Sequence, residues 1–439
     1  MSKTFRAWDV DQGWLLPPSI HDFVPAGHVA HFVRDTVRAL DLSAIVAPYE
    51  REERGYPPYH PVMMTALLLY AYSRGVYSSR RIARACEERV DFMAVTGLQR
   101  PDFRTISDFR KRHLAALAGV FVQVLGLCRK AGLVKLGHVA LDGTKIKANA
   151  SKHKAMSYGR MSTAEAALAS EVAGWLKQAA ESDASEDRRH GTDSRGDEMP
   201  DWAADKQKRL EKIRAAKAAL EAEARAAAAD EEKRQDGKPR PGRKPKPPAS
   251  VPPDKAQRNF TDPDSRVLLT KDGFIQGYNA QAAVDGANQI IVAHALTNGM
   301  SDQGQFAPLL DGIERNTGTT PKEVSADNGY CSEANLALAV AKAITPYIAT
   351  GRQKHGEATA AGQRPRGKDS LVAAMRRKLQ RGGRRSRYRL RKQIVEPVFG
   401  QIKQARGFRQ FLLRGLDQVR HEWALICTAH NLGKLAAAG

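Results

Sequence analysis

Twice along this chain a short apolar run stops at an aspartate and passes into a turn. The first is His138-Val-Ala-Leu-Asp142, followed by Gly143-Thr144; the second is Glu323-Val-Ser-Ala-Asp327, followed by Asn328-Gly329-Tyr330. Runs this short, bounded by turn residues, predict buried strands. Their near-continuous apolar character, without alternation, predicts a sheet with both faces covered. Gly273 to Asp285 and Gln289 to Leu296 also read as strands, and Asp285-Gly286-Ala-Asn288 between them predicts a hairpin. A helix from Gln303 to Asn316, another from near Ser332 and a strand from Thr345 to Ala349 complete an alternation that predicts an α/β core. In such folds functional groups gather at strand ends, and each aspartate is expected where its strand ends.

The remaining chain has other periodicities. From His60 to Ala131 the pattern is helical throughout, with Val62, Ala66, Leu67 and Tyr70 at helix spacing. Ser78-Ser79 reads as the cap of a helix carrying Arg80, Arg81 and Arg84; Thr105 and Ser107 open another carrying Arg110, Lys111 and Arg112. Such helices suit a helix-turn-helix-like DNA reader, and equally a bundle with a solvated basic face. Residues 163 to 235, rich in Ala, Glu, Lys and Arg with a polar break from Ser182 to Pro200, predict an antiparallel helical pair; Gly237 to Pro253 predicts a Lys- and Pro-rich tether. The expected domains are an N-terminal helical domain over 1–131, a first core segment over 132–162, the inserted pair and tether over 163–256, and the rest of the core over 257–439. Gly351 to Arg387 reads as flexible, and Arg376 to Lys392, with ten cations and no anion, as a segment that orders on DNA. A last helix is expected from Leu416 to Ala437.

Charge narrows the partners. The chain has 439 residues and a formal net charge of +22, which points to a polyanion, because Lys and Arg displace counterions from phosphate backbones. The longest near-apolar stretch, Val62 to Ala71, is too short to span a bilayer. Met1 to Trp8 lacks the apolar core of a signal peptide, so a cytoplasmic location without a membrane partner is expected. Cys86, Cys128, Cys331 and Cys427 form no C-x-x-C pair, and Cys427-Thr-Ala-His430 has ligand-like spacing without a second half.

A third acid, Glu396, falls on a predicted helix. Two strand-end aspartates and one helical glutamate are the oxygen donors that a two-metal phosphoryl-transfer centre needs, and close carboxylates repel unless a cation lies between them. At about 100° per residue, Arg389, Lys392 and Lys403 share the helical stripe of Glu396. Asp285 reads as a turn residue, Asp302 as a charge or cap before a helix, and His138 as a strand residue.

Three segments carry a resemblance: Val139-Ala-Leu-Asp142-Gly-Thr-Lys-Ile-Lys147, Val324-Ser-Ala-Asp327-Asn-Gly-Tyr330 and Arg391-Lys-Gln-Ile-Val-Glu396-Pro-Val-Phe-Gly400-Gln-Ile-Lys403. With Lys271 to Asp285 and the N-terminal helices, they resemble the DDE transposases of bacterial insertion sequences, in the group with a Tyr-Arg-Glu-Lys signature. The resemblance implies an α/β, ribonuclease H-like mixed-sheet core. It implies Asp142, Asp327 and Glu396 as catalytic ligands of two Mg²⁺ ions, which Mn²⁺ can replace. It also implies terminal inverted repeats and target DNA as partners, and a homodimer in the synaptic complex. Lys403 is the implied DNA-end contact, with Lys145, Lys147, Arg389, Arg391 and Lys392 as further DNA-binding cations. Two departures stand out: Lys392, not Arg, lies four residues before Glu396, and Tyr388 lies eight before rather than seven. This one-residue shift turns Tyr388 and Arg391 off the stripe. Two alternatives remain at this point: a nuclease that uses the same triad for hydrolysis only, and a decayed, DNA-binding derivative.

Overall fold

The computed structural model describes residues 19–51, 57–190, 201–235, 250–270, 272–351 and 370–438, with positions 359 and 361. Its first part is helical: α1 Val29–Arg38, α2 Ser43–Glu50, α3 Pro61–Ser73, α4 Ser79–Glu88, α5 Val90–Thr96, α6 Phe103–Arg112 and α7 Leu114–Lys130. Pro61 opens α3, where its missing N–H costs nothing, and the His60 ring accepts from the Val62 amide. Met64 through Tyr72 are all buried, so α3 is surrounded on every side. By contrast α4 turns Ile82, Ala85 and Cys86 inward and leaves Arg80, Arg81 and Arg84 exposed. The cap of α6 is Asp102, which accepts from the Arg104 and Thr105 amides. Thr105 and Ser107, expected to open that helix, lie inside it, because an aspartate one turn earlier offers two acceptor oxygens.

Strand β1 spans His138–Lys147, and β2 Ala155–Ser157. Then come the long helices α8 Tyr158–His190 and α9 Asp201–Gln235, and the strands β3 Gln257–Asn259, β4 Arg266–Thr270, β5 Gly273–Asp285 and β6 Ile291–Thr297. The chain continues through α10 Phe306–Thr317, β7 Glu323–Ala326, α11 Glu333–Ala341, β8 Thr345–Ile348, α12 Leu371–Gly382, α13 Leu390–Gly400 and α14 Leu416–Ala438. Six strands form one mixed sheet in the order β4-β5-β1-β7-β8, with β6 also paired to β5. In it β1 is antiparallel to β5 and parallel to β7, and β7 is parallel to β8. On one face α14 is pinned by polar contacts: the Trp423 indole donates to the Gln281 carbonyl, and the Asn431 side chain pairs with both backbone groups of Ile291. Because α14 also packs on α3 and α7, the helical region and the sheet share one apolar core.

Three expectations change. Strand β1 does not stop at Asp142 but runs five residues further, paired with β5 through Lys147↔Gly277. The cationic stretch around 376 is not loose chain: α12 buries Ala373, Met375 and Leu379, Arg387 pairs with Glu323 at 2.5 Å, and the Lys378 ammonium sits 3.9 Å over the Tyr347 ring. Helix α8 runs through His190, into the expected polar break. The rest of that break, 191–200, and most of the tether, 236–249, lie outside the described residues. The inserted pair packs through its own small cluster of Met161, Ile213, Ala216 and Leu220, separate from the main core, with Glu165 paired to Lys217 and Arg214. Among the described residues no single helix is long and apolar enough to cross a membrane.

Candidate active site

The parallel pairing of β1 with β7 ends at Leu141↔Ala326. The next residue on each strand is an aspartate, so Asp142 and Asp327 stand side by side where β7 leaves the sheet. Each turns back on its own chain: Asp142 accepts from the Gly143 amide at 2.9 Å, and Asp327 from the Gly329 amide at 2.8 Å. The sheet around them tolerates little bulk. A Cβ on Gly143 would run into the Gln281 amide and lie 2.9 Å from both Asn279 and Asp302; one on Gly329 would lie 2.9 Å from Asp302 and 3.0 Å from Asp327. These two glycines let a third carboxylate approach.

That carboxylate is Asp302. It does not cap the helix it precedes. Its Oδ1 accepts from Asn279 Nδ2 at 2.6 Å and Gln281 Nε2 at 2.7 Å, which leaves Oδ2 turned toward Gly329 and Asp327. Gln281 in turn accepts from the buried Tyr330 hydroxyl. Asn279 and Gln281 are both buried, and their signal in the sequence was two polar residues at strand spacing inside an apolar run. Asp285, in contrast, is a turn residue that accepts from the amides of Leu136 and Ala287. His138 bridges Glu323 and Ser325 at 2.9 Å each, within the sheet.

The helical run from 387 to 405 lies against β1. Arg391, expected to point off the stripe, is buried and reaches the centre: Nη1 donates to Asp142 Oδ2 at 2.6 Å, and Nη2 lies 3.4 Å from Glu396 Oε1. The run is not one uniform helix. Arg387–Arg389 is a 3₁₀ turn, Leu390–Gly400 is α-helical and Gln401–Ala405 is a π turn, so a fixed 100° step fails at both ends. Pro397 cannot donate to the Gln393 carbonyl, and the Gln289 side chain donates to it instead. Lys403 Nζ donates to Thr144 Oγ1 at 3.0 Å and to the Lys145 carbonyl. Lys145 donates to the Leu269 carbonyl, Lys147 is exposed, Arg389 donates to the Arg384 carbonyl, and Lys392 is exposed. Of the six expected cations, Arg391 and Lys403 are thus drawn in, and the other four stay at or near the surface.

Electrostatics explains the position of Arg391. Burial pushes the Asp142 carboxyl up to about 7 against the lowering effect of Arg391, with Asp327 and Asp302 adding repulsion. Burial also raises Asp327 above the usual carboxylate range, partly opposed by the Gly329 amide. Burial raises the Tyr388 hydroxyl, and Arg391, which it contacts, opposes that shift. The Arg391 guanidinium is therefore the countercharge of an acidic centre, placed between Asp142 and a half-exposed Glu396.

A family model described as Transposase DDE domain matches residues 256–432, and one described as Transposase domain (DUF772) matches 18–112. The chain belongs to the insertion-sequence DDE transposases. The mixed sheet with its covering helices is the ribonuclease H-like core of that family, and the helical region carries the second match. No curated protein and no solved structure matches the chain. DDE transposases use divalent metal ions. The donors here fit such ions, since Asp142, Asp302, Asp327 and Glu396 offer hard carboxylate oxygens and no sulfur or imidazole stands among them. Among the described residues no three acids are already closed into a ligand set, because Arg391 stands between Asp142 and Glu396.

Proposed function

We propose that this transposase cuts the ends of its insertion sequence and joins them to target DNA at the centre formed by Asp142, Asp327 and Glu396. The observation that carries the reading is the pair of aspartates at one level of adjacent parallel strands, Asp142 within β1 and Asp327 just past the end of β7, with Arg391 linking Asp142 to the helical Glu396. These three acids would hold two Mg²⁺ ions, or Mn²⁺, with Asp302, whose Oδ1 accepts from Asn279 and Gln281, beside them. Ions bound there supply charge stabilisation for the attacking and leaving oxygens of phosphoryl transfer. Asp142 would be a ligand through the carboxylate that Arg391 now contacts at 2.6 Å, and the Arg391 guanidinium, which also lies 3.4 Å from Glu396, would hold a DNA phosphate beside it. Lys403, fixed on β1 by Thr144, holds a phosphate two residues along the strand from Asp142. Hydrolysis of the donor strand breaks a P–O3′ bond and frees a 3′-hydroxyl. That hydroxyl then attacks a target phosphodiester, whose own 3′-oxygen leaves. Acting on two ends calls for two centres, hence a homodimer in the synaptic complex.

The test uses duplexes copied from the DNA flanking the gene. The protein should nick and join these with Mg²⁺ or Mn²⁺ and do neither in chelator. Asp142→Asn, Asp327→Asn and Glu396→Gln should each lose cleavage while still binding the duplex. Cleavage near the parent rate by any one of them removes that residue from the centre, and full activity in chelator overturns the chemistry.

A further inference from the structure

The N-terminal helices carry a second basic feature, away from the acidic centre. Between α4 and α6 lies a groove of about 390 Å³, whose walls include Arg80, Arg104, Arg110, Lys111 and Leu412. Its one carboxylate, Asp108, faces Lys111 at 3.9 Å, so the walls carry four cations against one anion. Phe103 gathers two of these charges: the Arg80 guanidinium lies 4.7 Å and that of Arg104 5.7 Å from its ring centroid. Among the described residues neither guanidinium has a carboxylate at ion-pair distance. Side chains on a merely solvated basic face spread apart, whereas here one ring holds two like charges together. Arg110 adds a charge from below. It is 5% exposed and donates only to neutral groups, namely the Tyr72 hydroxyl, the Tyr77 carbonyl and the Ser79 hydroxyl. Its Nε has no partner. The nearby buried Glu422 accepts from the amides of Leu412 and Leu413, and its carboxyl, raised by burial, is lowered in part by those amides and by Arg110.

The segment around Leu412 ties the groove to the centre. Lys147 pairs with Gln410, two residues before Leu412, and Lys147 lies five residues along β1 from Asp142. At roughly 3.3 Å per residue the groove's edge is at most about 30 Å from Asp142, within roughly one 34 Å turn of duplex.

We infer that this groove is a phosphate-holding site for duplex DNA, engaging the backbone within one helical turn of the scissile bond. It rests on the reading of the chain as a DNA-cutting enzyme and adds the clamp that fixes the duplex relative to the centre. Anchoring a duplex at two places a turn apart sets both its register and its direction, which one contact beside the scissile phosphate does not.

Arg80→Ala/Arg104→Ala in the full-length protein is the test, since both side chains are exposed and the variant's fold can be checked by circular dichroism and thermal unfolding. Binding of a 40-base-pair end duplex is followed by fluorescence anisotropy in chelator, so no chemistry intrudes. The variant should bind about 10-fold more weakly near 0.1 M salt, with a log–log salt slope smaller by about 1 to 2. A scan with single methylphosphonates should then show phosphates, within one turn of the cleaved bond, whose neutralisation weakens the parent and not the variant. Equal affinity and slope for parent and variant, or an unchanged set of sensitive phosphates, overturns the groove. A parent that binds through these phosphates yet never cuts with Mg²⁺ sinks the enzymatic reading instead and leaves the groove standing.

Discussion

Replacing Arg391 by alanine tests the electrostatics of the centre without DNA or metal. The guanidinium is 11% exposed and lies 2.6 Å from an Asp142 carboxylate that is itself 16% exposed. Removing one member of a buried pair ordinarily costs about 3–5 kcal/mol, because a charge is left without a partner. Here proton uptake limits that cost. The Asp142 carboxyl already sits near 7, raised from its ordinary value, and Arg391 holds it down. A folded-state pKa above the unfolded value adds stability that is complete at low pH and lost as pH rises through the folded pKa. The parent therefore loses this contribution between about pH 4 and pH 7 and then levels off. Without Arg391 the folded pKa rises further, so the variant keeps losing stability above pH 7, at about 1.4 kcal/mol per pH unit. The parent–variant gap should be about 1 kcal/mol at pH 5.5, where little more than a hydrogen bond is lost. It should widen by about 2 kcal/mol between pH 7 and pH 8.5. Denaturant unfolding in chelator at pH 5.5, 7.0 and 8.5 measures it, and Mg²⁺ should narrow the gap at pH 8.5. A gap that is constant with pH, or absent, refutes the role of Arg391 as the countercharge of Asp142.

Three further outcomes follow from the same geometry. Asp302→Asn keeps an acceptor for Asn279 and Gln281 but removes a charge beside Asp142 and Asp327; it should stabilise the metal-free protein by about 1 kcal/mol and weaken Mg²⁺ binding about 10-fold by calorimetry, and unchanged Mg²⁺ affinity places Asp302 outside the centre. Lys403→Ala should reduce end cleavage at least 10-fold while total DNA binding falls by less than about 3-fold, which gel-shift and cleavage assays on one duplex compare; an equal loss in both makes Lys403 a general DNA contact. Replacing residues 160–255 by a short linker removes α8, α9 and their separate apolar cluster and should leave a cooperatively unfolding core that binds Mg²⁺ as the parent does; loss of that binding assigns a ligand to the inserted pair.

The strands and both aspartates were readable because a short apolar run that stops at an acid is unusual in any other setting. The level at which they meet was not, since it depends on β7 ending where β1 continues, and only the pairing register fixes that. Asp302 reads as a cap because an aspartate before a helix ordinarily is one, whereas the structure turns its carboxylate to Asn279 and Gln281. Its partners lie more than twenty residues earlier, and the polar pair Asn279 and Gln281 inside an apolar strand was the clue. Arg391 reads as off the Glu396 stripe because five residues of α-helix turn it about 140° away; both lie in α13, and the long guanidinium side chain reaches Asp142 on β1, a partner the helix alone does not reveal. The cationic stretch around 376 reads as loose by its charge alone, whereas Ala373, Met375 and Leu379 face inward and make it a packed helix. Charge density describes a surface, and spacing describes what lies beneath it.

Iron-directed backbone cleavage tests most directly whether Asp142, Asp327 and Glu396 hold the ions. Fe²⁺ replaces Mg²⁺ at oxygen-donor sites, and with ascorbate and peroxide it cuts the polypeptide within a few residues of where it is bound. Fragment masses should place the cuts near 142, near 327 and near 396 together, suppressed by excess Mg²⁺ and lost in Asp142→Asn/Asp327→Asn. Cuts confined to other parts of the chain, or cuts at these three places that survive the double replacement, would contradict the assignment of the centre.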